Sequence, residues 1–376
     1  MVRISIIVPV YYGKRYLKNL ADQAERAAKQ LSGGDQAELI FVNDAPDDPL
    51  DEDGYRSDFI SVTVFNTTQN RGIHGARIYG LSHAVGEYIL FLDQDDAIKE
   101  TFLLDQLEKI GNADAIVCRL INAGKLQYTD SYRFEEVITK EFLMANWNPI
   151  VSPGQVLLRK SSIPDLWKEN IMEKNGADDY LLWLAMFAEE KKFVLNQNVL
   201  FERIVSGSNT SANTNQMMDS EYEMIRILSE SRLFTGEDKE RLHRLSDSLR
   251  REHVRELDTY RNAYRVYDGW IRRALANESP AEMLKGRGIR NIAIYGAGYI
   301  GRSIFRLLEN SSVKVLFFLD RNAAYIDFEI PVYTVSDAPP RIDGIIISLF
   351  GEAYRIKEML SEKFECPVYT VEELIS

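Results

Sequence analysis

The chain is predicted to be an α/β protein in three sections: an α/β domain over residues 1–215, a helical section over 216–285 and a smaller α/β domain over 286–376. Three observations predict this. Short apolar runs bounded by turn residues alternate with helical periodicity through the first half. From Met217 to about Leu284 the periodicity is helical alone. At Gly286 the alternation of strand and helix resumes and continues to the end. Such alternation predicts a mainly parallel sheet with helices on both faces.

Taken in order, Arg3–Val10 is a strand closed by Pro9. Leu17, Leu20, Ala24, Ala27 and Leu31 fall on one face of a helix that Gly33-Gly34 ends. Leu39–Val42 is a second strand, followed by a turn rich in Asp and Pro over Asn43–Asp53. Further strands are expected at Ile60–Phe65, Tyr88–Leu92, Ala115–Leu120 and Gln155–Arg159, and a helix at Tyr180–Ala188 behind Asp178-Asp179. In the middle section Leu257, Tyr260, Tyr264, Tyr267 and Ile271 recur at spacings of three and four among charged residues. That stripe packs either within the chain or on a second copy, so a homodimer is one of two open readings.

Composition sets limits. With 376 residues there is room for two or three domains, and 45% hydrophobic with 27% charged residues is a globular balance. No apolar run approaches the roughly eighteen residues of a membrane span, and Met1-Val2-Arg3 leads straight into a strand. The expected setting is the cytoplasm. A net charge of -12 argues against nucleic acid as a partner. Cys118 and Cys366 sit beside apolar, strand-like residues and read as inert core thiols in a reducing compartment.

The most informative stretch is Tyr88–Asp96. A buried strand over Tyr88–Leu92 delivers Asp93, Asp95 and Asp96 to its carboxyl end, where open α/β sheets bind ligands. Alternate carboxylates at such an edge repel one another unless a cation lies between them. Hard divalent ions often take one or two protein carboxylates and complete their shell with phosphate oxygens. The pattern is a platform for a metal-bound diphosphate.

Five blocks then occur in order: Ile-Ile-Val-Pro-Val-Tyr-Tyr (6–12), Val-Asn-Asp (42–44), Asn70 and Gly72 with Ala-Arg (76–77), Leu-Asp-Gln-Asp-Asp (92–96), and Asp-Asp-Tyr-Leu-Leu-Trp (178–183). Over roughly the first 210 residues the chain resembles the inverting glycosyltransferases of family 2, which have the GT-A fold. The resemblance implies that Pro9 and Tyr11 line a nucleotide pocket and that Asp44 accepts a hydrogen bond from the base. It implies that Arg77 contacts the charged half of the donor, that Asp93 holds the ribose side, and that Asp95 ligates Mg²⁺ or Mn²⁺. Asp179 matches the family's catalytic base, and Asp178 stands where Glu is more usual. A helix N-terminus is expected to keep Asp179 ionised; a plain helix cap is the alternative for the Asp pair.

The chain departs from the family pattern at three places. Ile78 stands where Asn is frequent, Val205 stands where a His often ligates metal or phosphate, and Lys14-Arg15 replaces acidic residues. The turn Asn148–Gln155 lies in the region that faces the acceptor in relatives. Gln155 is therefore an acceptor or sugar contact, or simply part of a Pro-Gly turn. His74 is given no catalytic role, and His83, His243 and His253 read as ordinary surface or helix residues.

A second motif opens the last section. Ile292–Tyr295 runs into Gly296-x-Gly298-x-x-Gly301 and a helix over Arg302–Leu308, and a strand over Val313–Leu319 ends in Asp320. That is the context of a dinucleotide fingerprint, so NAD or another nucleotide could rest on the helix N-terminus. Further strands are expected at Ile345–Leu349 and Pro367–Thr370. The section is short and resembles the small Rossmann-like modules appended to some sugar-processing enzymes; a structural role stands beside nucleotide binding.

The expected activity is metal-dependent, inverting transfer from a nucleotide-sugar, uridine being the expected base, to a hydroxyl of a glycan or lipid-linked saccharide in surface polysaccharide assembly. A lipid-linked acceptor would be met at the inner face of the membrane, with Arg250-Arg251, Trp270 and Arg272-Arg273 as one peripheral contact. Two alternatives are an NAD-dependent oxidoreductase or epimerase working through the last section, and a non-catalytic nucleotide-sugar-binding scaffold.

Overall fold

The computed structural model describes residues 2–32, 34–55, 57, 59–122, 124–127, 133–204, 213–276, 278–323, 326–337, 341–350 and 352–375. The chain divides into two compact units, Met1–His253 and Val254–Ser376, each described by itself. The boundary falls inside one helix, so the expected separate helical section is shared between the two units.

In the first unit, β1 (Val2–Val10), β2 (Gln36–Asn43), β3 (Ser61–Asn66) and β4 (Tyr88–Phe91) form a parallel half-sheet in the order β3-β2-β1-β4. The short β5 (Ala97–Ile98), β6 (Ala115–Asn122), β7 (Lys125–Leu126), β8 (Val156–Arg159) and β9 (Phe193–Arg203) extend it as β4-β8-β6-β9-β5, with β7 on β6. Here β8 runs antiparallel to both β4 and β6, while β6 and β9 are parallel. The expectation of a mainly parallel sheet is corrected to a mixed one. Periodicity reports burial, and β6 and β8 are buried much as parallel strands are, so the antiparallel direction of β8 left no mark.

The apolar runs are continuous because the sheet is covered on both faces. Ile4, Ile6 and Val8 join Leu39, Phe41 and Leu90 on one side, while Ile7 joins Ile40, Val42, Ile89 and Phe91 on the other. On the first side lie α1 (Lys14–Lys29), through Leu17, Leu20, Ala24 and Ala27, and α3 (Phe102–Ile110). On the second lie α2 (Gly72–His83), the short α4 (Phe134–Val137), α5 (Lys140–Ala145) and α6 (Asp165–Glu169), and α7 (Asp178–Ala188). α8 (Thr214–Glu230) and the first part of α9 (Gly236–Leu275) pack there through Met224, Leu228, Leu242 and Leu245. Cys118 is buried in the core as expected; Cys366, in the second unit, is only partly buried.

The second unit holds the end of α9, α10 (Pro280–Gly286), α11 (Tyr299–Leu308), α12 (Ala353–Lys363) and α13 (Val371–Ile375). Its strands are β10 (Asn291–Tyr295), β11 (Lys314–Leu319), β12 (Val332–Tyr333), β13 (Gly344–Ile347) and β14 (Val368–Thr370). They form one parallel sheet in the order β12-β11-β10-β13-β14. The order reverses between β10 and its neighbour β13, as in a doubly wound sheet. Among the described residues no helix is long and apolar enough to cross a membrane.

Candidate active site

A cavity of about 770 Å³ opens at the carboxyl ends of β1, β2 and β4 and at the start of α7. Its size suits a nucleotide-sized ligand. Pro9, Tyr11, Asp44, Arg77, Asp93, Asp95, Asp178 and Asp179 all line it, so five separate segments of the chain converge there.

The buried strands fix the rim. Tyr11, half-exposed, is held by Gln94, whose Oε1 accepts the Tyr11 N–H at 3.0 Å. Tyr12 takes a left-handed φ of 47° and donates its hydroxyl to Asp47 at 2.8 Å, which pushes the phenol up to about 12. Asp44 is almost fully buried. Its two oxygens accept the Arg71 N–H at 2.8 and 3.0 Å, and Thr67 Oγ1 lies at 3.3 Å. Burial pushes this carboxyl up, against the pull of the Arg71 amide. Both oxygens thus already carry a bond that holds the start of α2 in place, while the side chain still borders the cavity.

Arg77 is the centre of the site. It is 3% exposed, and donates from Nη1 to Asp178 at 2.6 Å and from Nη2 to Asp93 at 2.5 Å. Burial opposes its charge, but Asp178, Asp93 and Asp179 together hold its pKa above the ordinary value. Its side chain also lines the cavity. Two of its nitrogens are committed to carboxylates, so it acts first as the strut joining β4 to α7.

After β4, Asp93 and Asp95 are half-buried at the cavity wall, whereas Asp96 is buried and accepts bonds from Ser152 Oγ at 3.0 Å and the Ile204 N–H at 3.2 Å. Burial first, and then the Asp93 charge, raise the Asp95 pKa, while Arg203 and Arg15 work against the rise. Both arginines line the cavity. Among the described residues no three His, Cys, Asp or Glu groups form a cation site by themselves. The donor set fits an ion that takes one or two carboxylate oxygens here and the rest from phosphate and water.

At the opening of α7, Asp179 Oδ1 accepts the Tyr180 N–H at 2.7 Å and Oδ2 accepts Asn148 Nδ2 at 3.2 Å. Burial and the neighbouring Asp178 push Asp179 up to about 8. The expectation that a helix N-terminus keeps it ionised is therefore corrected. The terminus contributes a fraction of a charge at the surface, and here the loss of water and a full adjacent charge outweigh it.

Of the two readings of Gln155, the structure shows the turn and not the sugar contact. It is fully buried, its Oε1 accepts the Val151 and Ser152 N–H groups at 2.8 and 3.4 Å, and its Nε2 donates to the Cys118 carbonyl at 3.1 Å. It closes the turn and does not reach the cavity. The groups that sequence reasoning missed are Asn148 in this same turn, the half-exposed Trp147 beside it, and the cations Arg15 and Arg203. Two of them carried a signal: Arg15 as a departure from the family pattern, and Asn148 as the start of the turn expected to face the acceptor.

Ile78 packs against the core, and Lys14 pairs with Asp48. Val205 lies outside the described residues. His74 is buried, accepts the Met172 N–H at 3.0 Å and lies against Trp167, a packing role. His253 lies in α9, one of the two places expected for it, and is buried with Nε2 3.5 Å from Glu221.

In the second unit, Gly296 takes a φ of +98°, and a Cβ at Gly301 would lie 2.0 Å from the Gly296 carbonyl oxygen, so both places require glycine. Asp320 accepts the Ala297 and Asn322 N–H groups, each at 2.9 Å. Gly298 caps α11. Asp320 thus closes the glycine turn itself.

Residues 5–168 match the family model described as Glycosyl transferase family 2. The chain is 36% identical over 98 residues to the minor teichoic acid biosynthesis protein GgaB of Bacillus subtilis (strain 168), covering 26% of this chain and 11% of that protein. It is 26% identical over 249 residues to the glycosyltransferase GlyA of Streptococcus pneumoniae serotype 4, covering 60% of this chain and 35% of that one. The chain therefore spans about a third or less of the length of these relatives. A structure of S. aureus TarS residues 1–349 aligns with a TM-score of 0.45 at 19% identity, covering 64% of this chain and 69% of that one.

Proposed function

The amino-terminal part of this chain belongs to glycosyltransferase family 2, with the GT-A fold, and from that premise we propose that it transfers a sugar from a nucleotide donor, a UDP-sugar by preference, to an acceptor hydroxyl with inversion. The observation that carries this reading is the convergence of Asp93, Asp95, Arg77 and Asp179 on one cavity.

The chemistry follows from the charges. Breaking the bond between the anomeric carbon and the diphosphate oxygen sends its electron pair to the leaving group. Mg²⁺ or Mn²⁺ held by Asp95 would offset that charge, and Arg15 and Arg203 line the same cavity. The acceptor oxygen attacks from the opposite side and gives its proton to Asp179. A carboxyl whose proton leaves near pH 8 is a stronger base than an ordinary aspartate, and its burial keeps bulk water from competing. Asp178 and Arg77 hold the start of α7 so that Asp179 faces the cavity. One base and one displacement produce inversion.

The acceptor class is a hydroxyl of a glycan or lipid-linked saccharide in surface polysaccharide assembly. The similarity over 98 residues to a protein of minor teichoic acid biosynthesis supports it. The test is a panel of nucleotide-sugars with Mn²⁺ or Mg²⁺, followed first by thermal shift and then by nucleoside diphosphate release. Metal-dependent stabilisation by one donor, with release of its diphosphate, is the expected result. No stabilisation by any donor would overturn the reading.

A further inference from the structure

Within the second unit, the end of α9 carries two apolar faces. One is spent: Val266 is fully buried against Leu284, Ile292 and Phe305. The other points outward. Leu257, Tyr260, Tyr264, Ile271 and Leu275 are 37, 61, 71, 60 and 82% exposed, and with Asp268 they fall within one narrow stripe at 100° per residue. From Leu257 to Leu275 the stripe is about 27 Å long. Exposed apolar rows of this length mark interaction sites.

We propose that this stripe is a self-association surface on which a second copy of the chain lies antiparallel. The order of residues carries the assignment, because the stripe is close to palindromic. About an axis near position 266, Leu257 meets Leu275 of the second copy, Tyr260 meets Ile271, and Tyr264 meets Asp268. Asp268, which already accepts Arg272 Nε at 2.8 Å, then also receives a phenolic hydroxyl, and two-fold symmetry makes each contact twice. A parallel pairing would instead set Asp268 against Asp268. Five large side chains on each helix offer roughly 1,000 Å² for the pair, at the lower bound of a specific interface. The expected complex is accordingly a concentration-dependent dimer.

The full chain is examined by sedimentation velocity between about 1 and 100 µM. The expected result is a shift from the chain mass to twice that mass, abolished by Ile271→Lys or Tyr264→Lys with the helical circular dichroism unchanged. Both positions are exposed, so neither variant disturbs the core. The register is read by oxidation in a Cys366→Ser background. Leu257→Cys mixed with Leu275→Cys should form a disulfide-linked dimer, and neither should do so alone. A monomer at 100 µM, a dimer that survives both lysine variants, or crosslinking of each cysteine variant with itself would overturn the proposal. A chain that stays monomeric but sediments with anionic vesicles would assign the stripe to a lipid surface instead.

Discussion

Arg77 and Asp178 lie 101 residues apart in sequence and 2.6 Å apart in space, with the same guanidinium also on Asp93. This pair sets the geometry of the site, since one end is on α2 and the other opens the helix that carries Asp179. A buried ion pair gives little net stability, but removing one partner leaves a charge without its solvent or its counter-ion. Arg77→Met should therefore lower unfolding free energy by about 3–5 kcal/mol. Arg77→Lys, which cannot reach both carboxylates from a fork, should fall between that variant and the native chain. Urea denaturation checks both.

Asp179 stores proton affinity against stability. Its pKa is 3.8 in the unfolded reference and about 8 in the fold. Between these values the folded state holds a proton that the unfolded state has lost, so stability falls as pH rises through the window. Asp179→Asn cannot ionise and should be more stable than the native chain at pH 8, by a margin that shrinks as the pH is lowered towards 4. The same variant should lose transfer by a factor on the order of 10² to 10⁴ while binding donor. Melting temperatures at several pH values, with donor titrations, separate the two effects. For the native chain, kcat/KM should rise with pH through about 8 and level off above it.

Asp95 is expected to act through the cation. Its pKa is raised by burial and by Asp93, so a bound divalent ion relieves repulsion already built into the wall. A donor at a hundred times its Kd stabilises a protein by about 2.7 kcal/mol. In Asp95→Ala that stabilisation by UDP-sugar with Mn²⁺ should largely disappear, while the melting temperature without ligand stays unchanged or rises. A variant that keeps the full ligand-induced shift would remove Asp95 from the donor site.

Much of this was legible from residue order alone. Continuous apolar runs gave β1, β2, β4 and β6 because those strands are covered on both faces, and Asp residues after them marked the ligand edge. β9 was not legible. Asn196, Gln197 and Asn198 interrupt its apolar pattern, and the register against β6 shifts where they occur. The strand exists because β6 offers it a ladder, a tertiary cause that local pattern cannot contain. The two readings of Gln155 stayed open for a related reason: a polar residue beside a Pro-Gly turn cannot be told from an exposed one until its three backbone partners are located. The coupling of Arg77 to Asp178 depends on a contact between distant segments, which no spacing encodes.

Asn148 is the remaining polar group on the base. Its Oδ1 accepts the Ile150 N–H at 3.1 Å, which fixes the amide so that Nδ2 faces Asp179 Oδ2 at 3.2 Å. It acts through Asp179, as a positioning residue. Asn148→Ala should lower kcat about tenfold, equivalent to 1.4 kcal/mol, with donor affinity unchanged. A merely structural role would lower stability and leave the pH profile alone, so the discriminating variant is Asn148→Asp. A second carboxylate at that place repels the ionised base and should move the alkaline rise of kcat/KM upward by about one pH unit. If that rise stays where it is in the native chain, Asn148 does not govern the base, and Asp179 is held by its own helix terminus alone.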